Sequence, residues 1–182
     1  MSLVKTLQRL VATLDLAGIP YMLSGSVVSS YYGINRSTQD MDLVIDPEEP
    51  QLRQFITMVL KSSFYASEKN AVDALYRQTQ FNVIDMETAW KADLILRKQR
   101  PFSEVEFSRR TQEEILGMSL WITSVEDSIL SKLEWASKTR SERQLGDVEG
   151  IFRLRGGTLD LPYLKKWAVE LGVIDMLSNF LD

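Results

Sequence analysis

The sequence predicts an α/β chain of the α+β kind, a small mixed sheet flanked by helices and followed by a C-terminal helical bundle. Three observations carry that expectation. Short apolar runs of strand character interleave with helical patterns over roughly the first two thirds of the 182 residues. From Ser124 onward the apolar residues recur only at helical spacing. The composition, 45% hydrophobic and 25% charged, is that of an ordinary globular protein, with no internal repeat or low-complexity tract.

The elements follow in order. Leu3, Leu7, Leu10, Val11 and Leu14 share one helical face, and Gly18 closes that helix. The run IPYMLSG reads as a buried strand ending at Gly25, with a helix over 26–32 behind it. Asp40 to Ile45 is a second strand, and Pro47 and Pro50 bound it and start a helix over 51–62. A weaker pattern covers 65–77. Gln80 to Met86 and Lys91 to Leu96 form strands, and the short turn between them predicts an antiparallel hairpin. After Pro101 come a short helix near 103–110 and a strand at Leu120 to Thr123. Val125, Ile129, Leu133 and Ala136 then start a helical series that continues through Val148, Ile151, Phe152 and Leu154 and ends over 161–171. Trp121, Trp135 and Trp167 fall on apolar-periodic positions and are read as core. The change of character divides the chain into a core, 1–123, and a helical region, 124–182.

What the chain lacks narrows its chemistry. It has no Cys and no His. That removes disulfides, thiolate zinc sites, cysteine nucleophiles, a Ser-His-Asp triad and imidazole metal sites. Carboxylates, amines, hydroxyls and backbone amides remain, and oxygen ligands imply a hard cation, Mg²⁺ or Mn²⁺. A net charge of −4 argues against non-specific nucleic-acid binding by the whole surface. No window approaches the ~18 apolar residues of a membrane span, and no basic-then-apolar leader opens the chain. The expectation is a cytoplasmic protein with no membrane partner.

The stretch YMLSGSVVSSYYGINRSTQDMDLVID holds the unusual feature. Side chains alternate across a strand, so Asp40 and Asp42 emerge on one face, a few ångströms apart. Two such charges repel, and either one protonates or a cation bridges them. Upstream, Gly25-Ser26 lies at a strand-to-helix turn, where glycine admits a close anion and Ser26 adds a hydroxyl. A phosphate-holding turn beside a cation-holding pair suggests phosphoryl or nucleotidyl transfer.

Gly-Ser, thirteen residues, then Asp-Met-Asp-Leu resembles the signature of the polymerase-β-like nucleotidyltransferase superfamily. That resemblance implies the nucleotidyltransferase fold, NTP as substrate and a third carboxylate on a neighbouring strand. The third acid helps hold the catalytic metal and accepts the proton of the attacking hydroxyl. Asp93 in WKADLIL is preferred for it, and Asp85 in FNVIDME is the competitor. Together INRSTQDMDLVID, KADLIL, SVEDSILSKLEWA and SERQLGDVEGIFR resemble small bacterial nucleotidyltransferase-like proteins related to the abortive-infection AbiE toxins. By that resemblance Lys132 contacts a triphosphate and Asp147 orients it or an acceptor group. Other readings stand beside these: Lys132 paired with Asp127 or Glu134 on its own helix, and Arg36, Ser37 and Thr38 either touching the nucleotide or shaping a loop.

The expected function is metal-dependent transfer of NMP from an NTP to an acceptor hydroxyl on RNA, protein or a small molecule. Asp40, Asp42 and Asp93 are the expected metal-binding and catalytic residues. Gly25, Ser26, Arg36, Thr38, Lys132 and Asp147 are the expected nucleotide-binding residues. The resemblance also raises a toxin with an antitoxin partner. The alternative is a catalytically silent nucleotide-binding or partner protein of the same fold.

Overall fold

A computed structural model describes residues 3–34 and 40–181. Helix α1 (Leu3–Leu16) buries Leu7, Leu10 and Leu14 as its spacing requires. Strand β1 (Tyr21–Ser24) runs straight into helix α2 (Gly25–Tyr31), and β2 (Asp40–Ile45) returns antiparallel to β1. Helix α3 (Glu49–Leu60) carries Pro50 near its start, where the missing N–H costs nothing. The segment of weak pattern divides into a short strand, β3 (Phe64–Ala66), and helix α4 (Glu68–Arg77), which Ser67 caps by accepting from the Asn70 N–H at 3.2 Å.

Strands β4 (Gln80–Asp85) and β5 (Lys91–Leu96) form the expected antiparallel hairpin. Helix α5 (Pro101–Ser108) leads to a second hairpin, β6 (Thr111–Ile115) and β7 (Met118–Ile122). Only the end of β7 is evident in the amino-acid pattern. Strand β6 is polar along most of its length, and its two-residue turn is Leu116-Gly117, both at positive φ, rather than the usual Asn-Gly. The rest is helical among the described residues: α6 (Val125–Thr139), α7 (Glu142–Arg155), α8 (Leu161–Glu170) and α9 (Ile174–Ser178).

The seven strands form one mixed sheet in the order β3-β4-β5-β2-β1-β7-β6, flanked by helices as expected. Burial alternates along its middle strands. Met41, Leu43 and Ile45 on β2 and Ala92, Leu94 and Leu96 on β5 are buried on one face with α1 and α3. Asp40, Asp42 and Val44, with Lys91, Asp93 and Ile95, are half-buried on the other. Strand β2 is therefore not buried on both faces: one face belongs to the core and the other to a cleft.

Two buried carboxylates fix the frame. Asp85 accepts from Thr6 Oγ1 at 2.6 Å and from Arg9 Nη1 at 3.4 Å, tying α1 to the β4–β5 turn. Asp127 accepts from Ser124 Oγ at 2.6 Å and Arg109 Nε at 3.3 Å, and from the Tyr163 hydroxyl, which joins the ends of α5, α6 and α8. Asp85 is fully buried and ties these groups together, although Thr6 also pairs with Thr88, and Arg9 with Glu87 and Ser63. Asp85→Ala is expected to cost about 1–3 kcal/mol of stability in a denaturant titration, the loss of buried hydrogen bonds.

Candidate functional site at the open face of the sheet

The parallel register of β2 on β5 sets the site. Asp40 stands opposite Lys91 and Asp42 opposite Asp93, two rows one strand-spacing apart. Asp85 lies three residues beyond Asn82, the partner of Asp93, and so belongs to the core face. Asn82 donates to Asp93 Oδ1 and orients it.

Strand β1 contributes the other edge, with Ser24 opposite Asp42. Gly25 follows at φ +65°, and a Cβ built there would lie 1.8 Å from Asp42 Oδ2. Glycine is thus required twice, once by the left-handed backbone and once by the carboxylate in the space a side chain would fill. Ser26 is buried inside the start of α2, whereas Ser24 and Gly25 line the cleft. Alternation along β1 could have pointed to Ser24.

Helix α6 forms the facing wall. Lys132 is buried, and its Nζ donates to Asp147 Oδ2 at 2.8 Å and to Gln144 Oε1 at 3.2 Å. Its partner is therefore on α7, not Asp127 or Glu134. Asp147 Oδ2 also accepts from Ser29 Oγ on α2 at 3.4 Å, so the ion pair links the helical back half to the helix after the Gly25 turn. Arg36 and Thr38 lie outside the described residues.

The cleft measures about 590 Å³ and runs from Asp42 and Asp93 past Lys132 to α5. Amino-acid pattern did not reveal several of its lining residues. Arg100 holds Glu134 with two parallel bonds of 2.6 Å, which pull the Glu134 carboxyl down to about 2. Glu106 accepts from Ser131 Oγ at 2.6 Å. Part of Glu106 still faces the cleft, yet burial dominates and pushes its carboxyl up to about 7. Trp135, expected in the core, is 56% exposed at the cleft wall, and Trp121 is also exposed, while Trp167 is buried.

The charges of the site are unequal. Burial raises the Asp42 carboxyl above its usual range, and repulsion from Asp93 and Asp40 adds to it; Lys132 and Lys91 offset part of this. Lys91 Nζ lies 3.5 Å from Asp40 Oδ1 and 3.2 Å from Asp93 Oδ1. Among the described residues no three carboxylates are arranged to hold a metal ion as they stand. Their chemistry nevertheless fits a hard dication: the donors are all oxygen, and the repulsion at Asp42 is only partly compensated.

Comparison with solved structures identifies the architecture. An antigenic nucleotidyltransferase-like protein from Paracoccidioides brasiliensis matches with a TM-score of 0.56 at 18% identity, covering 94% of this chain and 89% of that one. The crystal structure of ANT(2")-Ia in complex with adenylyl-2"-tobramycin matches with a TM-score of 0.61 at 13% identity, over 94% of this chain and 97% of that one. This is a nucleotidyltransferase fold. The solution structure of the antibiotic-resistance factor ANT(2'')-Ia matches as well, at 0.57 and 13% identity, over 97% of this chain and 96% of the other. No protein-family model and no curated protein sequence matches the chain.

Two stability measurements test the electrostatics. Asp42→Asn removes a charge facing two like charges and is expected to raise the melting temperature in chelator by about 2–4 °C, the shift of roughly 1 kcal/mol in a chain of this size. Glu106 binds its proton more tightly folded than unfolded, so its contribution to stability falls as pH rises from 4.5 through about 7. Glu106→Gln is expected to be more stable than wild type above pH 7 and equal to it below 4.5. A constant difference across that window would overturn the burial account.

Proposed function

We propose that the chain transfers a nucleoside monophosphate from an NTP to an acceptor hydroxyl and releases pyrophosphate. The observation that carries this reading is the register that brings Asp40, Asp42 and Asp93 onto one face of the sheet, beside the Gly25 turn and at the mouth of a cleft. The nucleotidyltransferase fold supports it.

In this reading Asp40, Asp42 and Asp93 hold Mg²⁺ or Mn²⁺. The dication, when bound, neutralises charge that develops on the transferring phosphate and its leaving group. Asp93, oriented by Asn82, accepts the proton of the acceptor hydroxyl. Ser24 and the Gly25 turn, with Ser26 behind them, receive the phosphates, and the buried Lys132 supplies the positive charge across the cleft. Asp147 and Gln144 hold that ammonium in place.

A small molecule is the acceptor the cleft supports best. A volume of about 590 Å³ suits a drug-sized ligand. Among the described residues the lining sets Asp42, Asp93, Glu106 and Glu134 against Arg97, Lys98, Arg100 and Lys132 and presents no basic track for a polynucleotide. The neighbour holding adenylyl-2"-tobramycin supports the same choice. Relation to the AbiE toxins, with a toxin role in the cytoplasm and an antitoxin partner, rests on the four sequence segments that resemble them, on and before β2, on β5, and on α6 and α7. A catalytically silent nucleotide-binding protein is the competing reading.

Labelled NTPs incubated with the protein and separate pools of RNA, protein and small metabolites test the proposal. Label is expected in a small-molecule product, with Asp42→Asn lowering the rate about 10³-fold or more, as loss of a principal electrostatic group does. Ser24→Ala is expected to weaken NTP binding about tenfold, the loss of one hydrogen bond to a charged group. Undiminished transfer by Asp42→Asn would sink the mechanism, and NTP binding without any labelled product would favour the silent reading.

A further inference from the structure

Nucleotidyl transfer as described leaves Lys91 without a part, yet its ammonium stands inside the carboxylate cluster. The four charged residues occupy the corners of a parallelogram on β2 and β5, with Asp40 opposite Lys91 and Asp42 opposite Asp93. Lys91 Nζ spans the diagonal between Asp40 Oδ1, at 3.5 Å, and Asp93 Oδ1, at 3.2 Å, with Asp93 Oδ2 also at 3.5 Å. Asp42 and Asp93 line the cleft, whereas Asp40 and Lys91 form the row beside it. The Lys91 side chain is 37% exposed, so it has solvent to move into.

We propose that Lys91 is a built-in counter-cation of this cluster, bridging Asp40 and Asp93 when no divalent cation is bound and competing with that cation for their oxygens. The inference rests on the reading of the three acids as a cation site. Three carboxylates and one ammonium sum to two negative charges, which a dication balances. Removing the ammonium leaves three negative charges and takes away a competitor at Asp40 and Asp93, while Asn82 still donates to Asp93 Oδ1. Both changes act in the same direction, towards tighter binding of a divalent cation. Spacing explains why the lysine sits there: Lys-Ala-Asp on β5 repeats the every-second-residue pattern of Asp-Met-Asp on β2, so parallel pairing brings all four side chains to one face.

Mn²⁺ titration of the full chain without nucleotide, read by the electron paramagnetic resonance of free Mn²⁺, tests this directly. Lys91→Met keeps the aliphatic stem and is expected to bind Mn²⁺ about tenfold more tightly than wild type, while Lys91→Arg, which keeps the charge, stays within about twofold. In chelator Lys91→Met is expected to melt below wild type, and Mn²⁺ to raise its melting temperature more than it raises that of wild type. Binding by Lys91→Met alone would support the proposal most strongly. Equal or weaker binding by a folded Lys91→Met, with wild type still binding, overturns the role of Lys91 and leaves the cation site standing. Binding by neither protein, or binding that survives Asp42→Asn, overturns the cation site and the inference with it.

Discussion

Parallel pairing of β2 with β5 crowds three carboxylates onto the open face of the sheet, and the surrounding residues answer the resulting repulsion. Lys91 bridges Asp40 and Asp93, Asn82 also donates to Asp93, and Lys132 offsets part of the charge at Asp42. Asp42 itself occupies the space that a side chain at residue 25 would need, so the acid and the glycine specify each other. Like charges gathered on one face work against each other, and such clusters are frequent at sites of binding or chemistry.

The same face depends on the helical back half. Lys132 is buried with its ammonium donating hydrogen bonds to Asp147 and Gln144 on α7, and Asp147 in turn accepts from Ser29 on α2. Removing either member of that buried ion pair takes away the charge that the other faces, which costs far more than losing a surface pair. The α5 wall is fixed to α6 by the twofold Arg100–Glu134 contact and by Ser131 on Glu106. Asp127 anchors the start of α6 through Ser124, Arg109 and Tyr163. These polar contacts join the elements that wall the cleft.

Local periodicity alone determined a good deal. It marks β2 from Asp40 to Ile45, the β4–β5 hairpin, the amphipathic α1 and the helical series from α6 onward, and it places Asp40 and Asp42 on a common face. These are properties of a few neighbouring residues and need no partner to be read. Pattern failed where the local signal was weak or misleading: β6 is mostly polar, the turn before β7 is Leu-Gly, and residues 65–77 split between a strand and a helix.

Tertiary structure alone decided which groups meet. The choice of Asp93 over Asp85 as the neighbour of Asp42 follows from strand register, and a shift of one residue would have exchanged the two faces. The pairing of Lys132 with Asp147, the position of Lys91 between Asp40 and Asp93, and the exposure of Trp135 depend on elements far apart in the chain. Periodicity assigns a side chain to a face of its own element. What covers that face, or leaves it open as a cleft, is settled only when the elements pack.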